Sequence, residues 1–112
     1  MASCALGLTG CSSGFPSIAG VWKASDGTPD KTISDDGNCT NLLYYRGTFT
    51  PVAAPGMCHL IGTSAGGGYI FQTVEGGRSA KYTAKFSDGG DTLRLTFDGK
   101  PLVTLKKTTS AH

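Results

Sequence analysis

The sequence predicts an all-β fold: an antiparallel, up-and-down meander of about eight strands that closes into a small barrel. Three observations carry that expectation. No run shows sustained helical periodicity, and seventeen Gly are scattered through the 112 residues, where each costs about 1 kcal/mol against Ala inside a helix. The clearest hydrophobic period is two. Tyr82, Ala84 and Phe86 alternate with Lys81, Thr83 and Lys85, while Leu93, Leu95 and Phe97 alternate with Thr92, Arg94 and Thr96. Successive side chains of a strand point to opposite faces, so both runs read as half-buried antiparallel strands. Finally, short runs recur at regular spacing between Gly, Asp and Asn, as sandwiches and barrels require. Closure into a barrel leaves no unpaired edge.

The runs follow one another from Ile18 onward. Ile18–Ser25 ends at Asp26-Gly27, and Asp30–Asp36 ends at Gly37-Asn38. Cys39–Val52 is the longest, and Gly47 or Pro51 bends or ends it. Met57–Ser64 leads into Ala65–Gly68, a flexible hairpin tip, and Tyr69–Val74 stops at Glu75-Gly76-Gly77. Arg78–Ser87 stops at Asp88-Gly89-Gly90, and Asp91–Phe97 meets Lys100–Thr108 across Asp98-Gly99. That last dipeptide is a strong hairpin signal, because a type I′ turn needs positive φ at both central residues.

A chain of this length forms one domain with one modest core. Its formal charge is +2, and ten Lys and Arg are dispersed rather than clustered, which argues against a nucleic-acid partner. Four Cys point to an oxidising compartment. They can pair in three ways; the simplest joins Cys39 to Cys58, inside the patterned region, for about 3 kcal/mol of stabilisation.

Gly20-Val21-Trp22 opens the first run and Leu105-Lys106-Lys107 closes the last. This resembles the lipocalin (calycin) pattern, in which Gly-x-Trp begins the first barrel strand and a basic residue near the last strand packs across the indole. A cation over an aromatic face is worth roughly 0.5–2 kcal/mol. The resemblance implies that Trp22 plugs the closed end, Lys106 or Lys107 covers it, and Gly20 leaves room for the packing. It implies a lipocalin-like barrel over residues 18–108, shorter than a full lipocalin, followed by a tail at 109–112.

Leu8-Thr9-Gly10-Cys11 resembles a bacterial lipobox. On that resemblance Met1–Gly10 is a lipoprotein signal segment, cut short at its start because no positive charge precedes Lys23. Cys11 then carries the lipid, Cys4 is a leader thiol, and residues 11–17 tether the barrel to the membrane. Two or three acyl chains anchor a protein stably where one is marginal.

No catalytic constellation emerges. His112 is terminal, so His59 is the one candidate base for a triad, and it adjoins a disulfide cysteine. Cys39, Cys58 and His59 lack the close paired spacing of structural zinc, and Asp35, Asp36 and Asn38 lack the ligand pattern of a calcium loop. Gly62–Gly68 lacks the Gly-Lys-Ser/Thr ending of a phosphate loop. Neither a cofactor nor a metal is expected. Contact surface is expected at Leu42, Leu43, Tyr44 and Tyr45, which run continuously rather than alternating, and at Phe15, within the tether; Tyr is common at interfaces.

The function expected is therefore that of a non-enzymatic, lipid-anchored lipoprotein on the periplasmic face of the bacterial envelope, most readily the outer membrane. It would act as a binding or accessory subunit of a membrane-associated assembly. One alternative is a protease inhibitor, since small single-disulfide barrels with an early Gly-x-Trp and a Leu-Lys-Lys ending resemble inhibitors of serralysin-type metalloproteases. That resemblance assigns Ser12–Ile18 to the enzyme cleft. The other alternative is a carrier of a small hydrophobic ligand.

Overall fold

The computed structural model describes residues 15–108. In chain order the strands are β1 (Gly20–Ala24), β2 (Lys31–Ile33), β3 (Asn38–Thr40), β4 (Tyr44–Tyr45), β5 (Thr48–Phe49), β6 (Gly56–Thr63), β7 (Tyr69–Glu75), β8 (Arg78–Ser87), β9 (Thr92–Phe97) and β10 (Lys100–Lys107). Eight of them close an antiparallel barrel in the order β1-β10-β9-β8-β7-β6-β3-β2, and β4 and β5 pair separately. The chain is thus the expected meander with one excursion, between β3 and β6.

Local chemistry explains the hairpins. Asp98 and Gly99 have φ of 54° and 77°, the doubly positive turn that their sequence predicts. The long run Cys39–Val52 is not one strand. Asn41 and Arg46 take positive φ, 62° and 54°, which breaks it into β3, β4 and β5. An Arg in the left-handed region is uncommon, and Gly47 follows it at 83° to complete the hairpin turn.

Alternation places the core. Leu93 and Leu95 are buried on either side of exposed Arg94, and Tyr82 and Ala84 on either side of Thr83. Trp22, Phe71, Leu93 and Leu105 are wholly enclosed. The Cys39–Cys58 disulfide is formed, with Cα atoms 5.9 Å apart. It reinforces the thinnest seam of the barrel, because β3 and β6 share only the pairs Asn38↔Met57 and Cys39↔Gly56.

The wall is uneven. β2 and β3 have three residues each, whereas β6 and β10 have eight and β8 has ten. The barrel is therefore low on the β2–β3 side.

Candidate functional site

The site is assembled at the end of the barrel where the described chain begins. Trp22 points inward from β1, and its Nε1–H donates to the Ile18 carbonyl at 3.0 Å. Lys107, its partner across β1 and β10, holds Nζ 5.0 Å from the centroid of the indole. Period two assigns this role to Lys107 alone. Lys106, one residue away, is exposed and stands opposite Lys23 on the outer wall. Gly20 has φ of 143°, and a Cβ there would come within 3.2 Å of Lys107 Cε. The lysine stem thus lies where a side chain would stand.

Below Trp22 the segment Phe15–Ala19 runs past the short β2–β3 hairpin as a ridge. Ile18 is buried, and the Phe15 ring meets Tyr69 edge-on at 5.8 Å, which in turn meets Phe86 at 5.9 Å. A groove lies on each side of the ridge. One, of about 400 Å³, is lined by Phe15–Ala19, by Ser34, Asp35 and Gly37 of the β2–β3 turn, and by Cys58, His59 and Leu60 of β6. The other, of about 610 Å³, runs between Pro16 and Ser17 and the residues Tyr69, Phe86 and Lys107. His59 caps the lip of the smaller groove, lying so close over Gly37 that a Cβ there would meet its ring at 2.4 Å.

The opposite end is stopped by the excursion. Here the expectation of a contact surface at Leu42, Leu43 and Tyr44 is corrected: all three are buried, at 0%, 0% and 2% exposure. The turns at Asn41 and Arg46 fold the run over the mouth of the barrel, so Leu42 and Tyr44 join the core while Leu43, equally enclosed, is covered apart from it. Tyr82 Oη donates to the Leu42 carbonyl at 2.9 Å and accepts the Tyr44 N–H at 2.6 Å. Tyr45 alone of the four stays partly exposed, with the guanidiniums of Arg78 and Arg46 at 4.8 and 5.4 Å from its ring.

Under this plug lie polar groups that the sequence reading missed. Lys31 is fully buried and donates to Thr28 Oγ1 at 2.6 Å, with the rings of Phe49 and Tyr44 at 4.5 and 5.1 Å. Burial lowers its pKa to about 8, against the pull of Asp26 and Glu75. Burial also acts on Asp26, but hydrogen bonds from Thr28 and Tyr44 outweigh it and hold that carboxyl below its ordinary value. Glu75 Oε2 accepts the Leu42 N–H at 2.9 Å and the Thr73 hydroxyl at 3.4 Å, while buried Oε1 has no partner among the described residues. Burial pushes the Glu75 carboxyl above its usual range. Cys39, Cys58 and Glu75 have their ligand atoms within 4.8 Å of one another, but the two sulfurs are joined to each other. Strand parity held a signal for these groups: Lys31 alternates with Ile33, and Glu75 with Thr73 and Phe71, all inward.

Phe15 and Trp22 therefore come together with Lys107 at one end, and the Leu42–Tyr45 run sits at the other. Cys4, Cys11, the signal segment and the first residues of the tether fall outside the described residues. Comparison with protein-family models, with curated proteins and with solved structures returned no match to this chain.

Proposed function

We propose that this chain is a non-enzymatic binding protein of the bacterial envelope. It is held on the periplasmic side of a membrane by a lipid on Cys11, and it engages a protein partner through the ridge Phe15–Ala19 and its flanking grooves. The observation that carries the reading is the ridge itself, which presents exposed Pro16 and Ser17 between two concave surfaces. The interior, filled by Trp22, Phe71, Tyr82 and the leucines, favours recognition by the outer surface over enclosure of an apolar ligand. Three residues lie between Cys11 and Phe15, four steps of chain that reach at most ~14 Å, so this end of the barrel would work close to the lipid.

Two measurements test it. The mass of protein extracted from membranes should show acyl chains on Cys11, and Cys11→Ser should move the protein to the soluble fraction; retention without an acyl mass overturns the anchor. A photo-crosslinking residue at Ser17 should capture one discrete protein that the same residue at Lys81, on the outer wall, does not. Equal capture from both positions, or none from Ser17, overturns the partner site.

A further inference from the structure

We infer that the smaller groove takes a single extended strand of the partner, which adds to a free stretch of backbone on β6. The inference rests on the partner reading above and names how that partner is held.

On one side β6 is laddered to β7 from Met57 to Thr63. On the other it meets β3 at Gly56 and Met57, and the Cys58 N–H reaches the Gly37 carbonyl at 2.8 Å. There the short β2–β3 hairpin turns back. Beyond that point, among the described residues, Leu60, Gly62 and Thr63 have ladder partners in β7 alone. Leu60 lies two residues beyond Cys58 and so turns its N–H the same way, into the groove. Unpaired N–H and C=O groups along an edge are a template for another strand, and main-chain pairing supplies affinity in such additions. The bulge between Leu60 and Gly62 limits the free ladder to a few residues.

The lining states the chemistry of the occupant. One side of an added strand would face Ile18, Cys58 and Leu60, and the other Asp35 and His59; the groove contains no Lys or Arg. An extended segment that alternates apolar residues with polar ones, with a Lys or Arg set against Asp35, satisfies both. A second copy of this chain does not fit through its own β6, because that strand carries β7 on its flank while Phe15–Ala19 closes the far side of the groove.

The test uses the full 112-residue chain, labelled with ¹⁵N, and a capped heptapeptide alternating valine with lysine and threonine. In the free protein the Leu60 amide should exchange with solvent faster than that of Cys58. Millimolar peptide should slow Leu60 roughly tenfold, as a newly closed hydrogen bond does, and leave Arg94 on the outer wall unchanged. The same peptide N-methylated on alternate amides should have no effect. Asp35→Asn should weaken binding of the lysine peptide by roughly fivefold, as loss of a charge-assisted contact does. Leu60 exchange that peptide leaves unaltered overturns the inference, as does equal slowing by the methylated peptide or a free Leu60 amide already as protected as Cys58. The readout needs neither membrane nor native partner, so its failure is distinct from failure of capture at Ser17.

Discussion

At one end the barrel is closed by a single indole with a lysine over its face; at the other, by the whole excursion from Asn41 to Pro55. The indole meets its one polar need locally, through the Ile18 carbonyl. The excursion instead brings backbone groups inside, and Tyr82 and Glu75 must satisfy them. A polar seal therefore buries titratable groups, whereas the lysine over the apolar seal stays partly exposed. The two ends should answer differently to truncation and to pH.

The largest effect belongs to the apolar end. Trp22→Ala removes the largest enclosed side chain and should cost about 3–5 kcal/mol in urea unfolding; a cost under about 1 kcal/mol would mean that the indole is not the seal. At the plugged end, replacing Cys39 and Cys58 together by Ser should cost about 3 kcal/mol. Reduction of the native protein should give the same loss.

Substituting the buried cation should act in the opposite direction. Lys31→Met should stabilise by about 1 kcal/mol at neutral pH, because burial disfavours the charged amine by more than Asp26 and Glu75 favour it. The gain should shrink as pH rises. With its pKa lowered from 10.5 to about 8, the unfolded chain keeps a proton on Lys31 across that window that the fold has released, so the native protein grows more stable through it. Glu75 has the reverse sign. Its folded pKa lies above the ordinary 4.5, so stability present below that value is lost as pH climbs through the folded pKa. Glu75→Gln should flatten this fall, visible as urea midpoints compared across the acid range, while variants at the Trp22 end should keep it.

The smallest effect separates two neighbours. Lys107→Gln should cost about 1 kcal/mol through the lost cation–π contact, and Lys106→Gln should leave the urea midpoint unchanged. Equal effects would show that the contact with the indole contributes nothing.

Much of the fold was legible because it rests on local rules. Asp98-Gly99 dictates its turn, and alternation in β8 and β9 dictates which side chains enter the core. The pairing of Cys39 with Cys58 was the simplest available. Gly20-Val21-Trp22 marked the first strand and its seal, and counting parity back from buried Leu105 would have chosen Lys107 over Lys106. The Leu42–Tyr45 run was illegible for a physical reason. A continuous apolar stretch looks two-faced when read as a strand, and only the left-handed turns at Asn41 and Arg46, neither a Gly, fold it so that Leu43 is enclosed as well as the core residues Leu42 and Tyr44. The groove beside β6 was hidden as well, since it depends on how early the β2–β3 hairpin turns back while β6 runs on.

The disulfide that brackets the excursion has a further consequence, for proteolysis. Residues 39–58 form a covalent ring, and within it Pro51 and Ala53–Pro55 are exposed. A protease that nicks this stretch cuts the backbone without parting the fragments, because Cys39 and Cys58 still join them. The stopper would stay in the mouth of the barrel, and the cut would show on a gel only after reduction. In a compartment rich in proteases, the most accessible stretch of this ring is also one that can be cut without releasing either piece.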